Sequence, residues 1–75
     1  MKKYLLEAVV EGRYIRFNRE FDSRSSAIDY LYSYYLNHYL PTPVINEEYV
    51  IDGNKNAVEY YSDYDNRFRV TSVRI

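Results

Sequence analysis

The hydrophobic pattern of this sequence predicts an α+β fold: a single antiparallel sheet of four to five strands with one helix packed on one face, in the order ββαβββ. Three observations carry that expectation. Residues 24–39 contain no Gly or Pro and repeat their apolar side chains at helical spacing. Short stretches of alternating polarity lie on both sides of that run. Gly12 and the Asp52-Gly53 pair fall where the alternation breaks, as turn residues do. At 75 residues the chain has the size of one small domain, 1–75.

Residues 3–10 read as the first strand. Tyr4, Leu6, Ala8 and Val10 make one unbroken apolar face, and Leu5, Glu7, Val9 and Glu11 a mixed one. Glu11-Gly12 supplies a turn. Residues 13–19 return as a second strand, with Ile15 and Phe17 facing in and Tyr14, Arg16 and Asn18 facing out. Asp22 or Ser23 can cap the helix, because a short side-chain oxygen there accepts from free backbone N–H groups. Ser26 with Asp29 offers a later capping box. Ile28, Leu31, Tyr32, Tyr35 and Tyr39 lie along one line of the helix and are the expected buried stripe, flanked by Leu36 and His38. Pro41 and Pro43 forbid continuation.

After a loop at 41–46, residues 48–51 read as a third strand and 57–62 as a fourth, separated by the Asp52-Gly53 turn. Asp63, Asp65 and Asn66 make another turn. Residues 67–75 are the last strand. Its alternation slips near Thr71 and Ser72, which predicts a bulge there. One helix covers two or three strands. The second face of the sheet is therefore expected to stay open, with Leu5, Val9, Tyr14, Tyr49, Ile51 and Tyr61 as candidates to lie on it, a composition that suits a homodimer or another protein partner.

Composition narrows the function classes. Eleven Tyr and three Phe, with no Trp or Cys, leave the fold to rest on packing, without disulfides or thiolate metal sites. Net charge is −1, which argues against general attraction to nucleic acid. Residues 1–24 and 67–75 are net basic, however, and 25–66 net acidic. Lys2 and Lys3 before Tyr4, Leu5 and Leu6 resemble the start of a signal peptide, but Glu7 and Glu11 interrupt the apolar run. No stretch approaches a membrane span, so no membrane association and a cytoplasmic location are expected.

The inventory for catalysis is thin, and the expectation is a protein that is not an enzyme, with no cofactor and no metal. His38 is the single histidine and sits where the negative end of the helix dipole would favour it. Asp52, Asn54 and Asn56 alternate as calcium-loop ligands do, but Asp63 stands where the loop needs a glutamate, and Gly53 is misplaced. Gly12 and Gly53 are too far apart to form a phosphate loop.

Binding features are better represented. Tyr30 and Tyr34 are spaced i, i+4 on the side of the helix away from the expected stripe, shared with Ser33 and Asn37, and are read as exposed protein-binding rings. Tyr60, Tyr61 and Tyr64 run beside Asp63 and Asp65, a combination of rings and acidity suited to a basic protein groove. The competing class is single-stranded nucleic-acid binding through Tyr14, Arg16, Arg67 and Arg69 on the open sheet face. Size and the heavy use of Tyr, Asn and Ile suit an accessory protein of an AT-rich bacterium or its phages. Such a protein would bind and inhibit a host protein through this Tyr-rich, partly acidic surface.

Overall fold

The computed structural model describes residues 2–45, 47–50, 57–63 and 66–74, with 47–50 and 61–63 described by their backbone. The element order is β1 (Lys2–Val10), β2 (Arg13–Arg16), α1 (Arg24–Asn37), β3 (Glu47–Val50), β4 (Ala57–Asp63) and β5 (Asn66–Arg74). All five strands form one antiparallel sheet in the order β2-β1-β5-β4-β3. The first and last strands are thus neighbours at its centre, and β1 and β5 pair continuously from Lys2↔Arg74 to Val9↔Arg67. Among the described residues the fold class, the element order and the single helix match the expectation from sequence. The Asp52-Gly53 turn, Ile51 and Ile75 lie outside the described residues.

Strand parity follows the alternation in the sequence. Leu6, Ala8 and Val10 of β1 are buried, as are Phe68 and Val70 of β5 and Val58 and Tyr60 of β4. The expected bulge at Thr71–Ser72 is not there. Ser72 keeps the inward parity of Asn66, Phe68 and Val70, and Val73 points the other way. A small serine tolerates that inward place at the margin of the core, so the strand need not slip. The register shift lies instead in β4, between Tyr61 and Asp63.

Glu11 and Gly12 join β1 to β2 with φ of 49° and 80°, the pair of positive angles that a two-residue hairpin turn requires. Strand β2 is shorter than expected and ends at Arg16. Phe17 still donates its N–H to the Leu6 carbonyl (3.1 Å), after which the chain bows away and rejoins β1 through two 2.9 Å bonds between Phe21 and Tyr4. Residues 18–20 thereby stand opposite Leu5 alone, a wide irregularity at the sheet edge.

Helix α1 starts where Ser23, in extended conformation, accepts from the Ser26 N–H (3.1 Å). The alternative Ser26–Asp29 box is not used. Ala27, Leu31 and Tyr35 are fully buried, with Ile28, Tyr30 and Tyr34 packed beside them. Of the expected stripe Ile28, Leu31, Tyr32, Tyr35 and Tyr39, Leu31 and Tyr35 are buried as expected, and the buried face is rotated by roughly 60° at 100° per residue toward Ala27. Phe17 and Phe21 pack against Tyr30 and Tyr34 on that side, which draws the buried face toward Ala27. Burying side chains of the size of Leu31 and Tyr35 contributes about 1.5–3 kcal/mol each. Tyr35 also donates its phenol O–H to Asn66 Oδ1, which accepts the Glu11 N–H at 3.2 Å as well. One buried amide so ties the helix to β5 and to the β1–β2 turn.

Candidate interaction surfaces

Tyr30 and Tyr34 do not stand out in solvent, and this corrects the expectation from spacing. Phe17 meets Tyr30 and Tyr34 edge to face, with centroids 5.6 and 5.4 Å apart. Phe21 lies 5.3 Å from Tyr30, and the Arg19 guanidinium sits 4.6 Å over the Tyr30 ring. The detour at residues 18–20 is what delivers Phe17 and Phe21 to this side of the helix. Edge-to-face pairs of this kind add about 0.5–1.5 kcal/mol beyond area burial. These two tyrosines are half-buried parts of the fold, and Ser33 and Asn37 are the members of the helical set that remain exposed.

In the second set, Tyr60 is buried and stacks on Phe68 with centroids 5.0 Å apart, so it is a core residue and offers no contact surface. Tyr64 and Asp65 lie outside the described residues, as do the side chains of Tyr61 and Asp63.

The third set is brought together. Register places Tyr14 opposite Val9 and Val9 opposite Arg67, and places Arg16 opposite Glu7 and Glu7 opposite Arg69. Tyr14, Arg16, Arg67 and Arg69 share the face of the sheet turned away from α1, and a shallow cleft of about 140 Å³ lies among Tyr14, Val9, Arg67 and Arg69. Acidic residues interleave with them. The Tyr14 hydroxyl donates to Glu7, a bond that holds the phenol proton above the ordinary tyrosine range. Arg69 approaches Glu59 at 3.4 Å. Arg16 and Arg67 are exposed and make no ion pair among the described residues.

A further feature escaped the reading from sequence. The helix ends with His38 as its cap, and Tyr39 follows with φ of 57°, in the left-handed region. The Tyr39 N–H bonds to the Leu36 carbonyl (3.1 Å) and the Leu40 N–H to the Tyr35 carbonyl (2.9 Å), the paired bonds of a Schellman motif. Leu40 completes it by packing on the core. That position is usually glycine, because a Cβ is strained there. Here it carries a tyrosine that is 96% exposed, next to Leu36 at 68%. Expecting Tyr39 in the buried stripe was therefore incorrect: the motif turns the chain before the ring can reach the sheet. One signal could have found it. No glycine stands between Asn37 and Pro41, so a side chain had to occupy the left-handed position if the helix closed in the usual way. His38 stays with the helix, its Nδ1 2.8 Å from the Tyr34 carbonyl oxygen and its ring stacked on Tyr34 at 4.0 Å.

Among the described residues no group of three or more His, Asp or Glu side chains could hold a metal ion, and no helix is long and apolar enough to cross a membrane. No protein-family model matches this chain, and no curated protein and no solved structure is significantly similar to it.

Proposed function

We propose that this is a non-enzymatic protein-interaction module whose contact surface is the C-terminal end of α1, built on Leu36, Asn37 and Tyr39. The observation that carries the reading is the placement of Tyr39. A residue held at positive φ costs about 1–3 kcal/mol relative to relaxed backbone, and this ring recovers almost nothing by burial. The left-handed turn itself serves the helix end, but a tyrosine in place of glycine adds strain that the exposed ring does not repay, and this points to use in recognition. Tyrosine suits that use, since it offers a large rigid contact area with few rotors to freeze. Leu36 extends the patch with exposed aliphatic surface, and Asn37 adds adaptable hydrogen bonding.

The decisive variant is Tyr39→Gly. Glycine relieves the left-handed strain, so the melting midpoint rises, by about 1 kcal/mol in stability. Affinity capture from the cells that make the protein should then lose a stoichiometric partner held by the native chain, and lose it also with Leu36→Ser. Retention of every partner by both variants would remove this surface.

The gathering of Tyr14, Arg16, Arg67 and Arg69 on one sheet face supports a second reading, binding of single-stranded nucleic acid. It requires oligonucleotide affinity that falls steeply with added salt and that Arg67→Ser weakens.

A further inference from the structure

We infer that the open face of the sheet is a homodimer interface, in which two copies stack face to face about a twofold axis parallel to the strands. The occupant is named by the order of charges. Register aligns Arg16 on β2, Glu7 on β1, Arg69 on β5 and Glu59 on β4 in one row across the sheet. The row reads plus, minus, plus, minus. Read backwards it is minus, plus, minus, plus, so the row is the electrostatic complement of its own reverse.

A twofold axis running between β1 and β5 performs that reversal. It sets Arg16 against Glu59 of the second copy, and Glu7 against Arg69 of the second copy, so all four positions meet an opposite charge. The neighbouring rows obey the same rule, since each β1 residue then faces the residue paired with it on β5. Leu5 meets Thr71, and Val9 meets the aliphatic stem of Arg67. A partner of uniform charge cannot match the row: a polyanion that satisfies Arg16 and Arg69 runs into Glu7 and Glu59. Aligned stacking of two twisted sheets is an established packing mode. The five strands hold 33 residues, which at about 3.3 × 4.8 Å each make a sheet of on the order of 500 Å² in plane; side-chain relief brings the face toward the ~800 Å² that each partner gives to a standard stable interface.

Desolvation is the opposing effect, because an isolated buried ion pair returns little or nothing. This row differs from an isolated pair. Tyr14 already bonds Glu7 and Arg69 already approaches Glu59 in the plane of the sheet. Stacking adds cross-face partners to charges that are partly neutralised beforehand.

Sedimentation of the full chain tests the inference. The native chain should be a dimer whose dissociation constant rises with salt, as a charge-ordered interface requires. Two row variants sharpen the result: an all-acidic row (Arg16→Glu with Arg69→Glu) and an all-basic row (Glu7→Arg with Glu59→Arg). Each alone should raise the dissociation constant at least about tenfold, and an equimolar mixture should restore a dimer containing one of each. A native chain that stays monomeric up to about 1 mM overturns the inference. So do row variants that dimerise like the native chain, a mixture that stays monomeric, or a salt-sensitive oligonucleotide complex forming in place of the dimer. Should a row variant fail to fold, the native chain still decides: a dimer indifferent to salt counts against the charge-ordered stack, and a monomer ends it.

Discussion

On the covered face of the sheet β1 presents Leu6, Ala8 and Val10, all buried beneath α1, while Leu5, Glu7 and Val9 of the same strand stay half-buried on a face that no described element covers. The strand, its register and its backbone hydrogen bonds are common to both sets. On the covered side the buried side chains are aliphatic or aromatic except for Asn66 and Ser72 of β5. The other side mixes branched aliphatics with ordered charges and a tyrosine. Folding constrains the first face by volume and polarity. It leaves the second free to be shaped by what the protein meets, and this is why the same short chain can carry both a core and a recognition surface.

The largest effect should therefore come from a volume change under the helix. Leu31→Ala removes a fully buried side chain from the centre of the helix–sheet contact and should lower stability by about 2–5 kcal/mol. That is a large part of the ~5–15 kcal/mol typical of a domain. Val9→Ala, on the same sheet but on the open face, should lose less than about 1 kcal/mol. Urea unfolding followed by circular dichroism reads both. Comparable losses at the two positions would break the contrast between the faces, and would place the dimer contact within the folding unit itself.

A medium effect should come from the polar tie inside the covered face. Tyr35→Phe keeps the ring and deletes the O–H that donates to Asn66. The expected loss is about 1–2 kcal/mol. A double-mutant cycle with Asn66→Ala should return a coupling of about 1 kcal/mol or more, since the two side chains touch. Additive losses would mean that the amide is held by β5 and the Glu11 N–H alone, with no tie to the helix.

The contrast between faces also explains what could be read from sequence. Strand parity was legible because its period is fixed at two and one side of β1 is wholly apolar, from Tyr4 to Val10. The rotation of the helix was not. Tyrosine stands at positions 30, 32, 34 and 35, on several sides of α1, and again at 39 just past its end, and it is at home both buried and wet. Which rings are covered depends on Phe17 and Phe21, brought over by a detour at 18–20 that no local pattern announces. Of the residues first singled out for binding, Tyr30, Tyr34 and Tyr60 proved to be packing residues. The outward set on the strands was placed correctly, because two-residue periodicity alone decides it.

The smallest effect belongs to the exposed ion pair at the sheet edge. Lys3 Nζ lies 2.6 Å from Asp22 Oδ1, and Asp22 is largely in solvent. The hydrogen bond and charge of Lys3 hold the Asp22 carboxyl below its ordinary value of 3.8. The same contact holds the Lys3 ammonium above 10.5. For the lowered carboxyl, any stabilisation is present above pH 3.8 and is lost as pH falls through the folded value. For the raised ammonium it is present below pH 10.5 and is lost as pH rises through the folded value. Between those limits the pair is fully formed, yet water and salt screen it, and exposed pairs of this kind often contribute nothing measurable. Carbon-detected NMR titration should find the Asp22 midpoint below 3.8, while Asp22→Asn leaves the thermal midpoint at neutral pH unchanged within reproducibility. A loss at neutral pH as large as that of Tyr35→Phe would mean that this edge holds the chain's detour in place. The open side would then share in folding, and the division of labour between the two faces would have to be redrawn around Phe21, whose two backbone bonds to Tyr4 adjoin the pair.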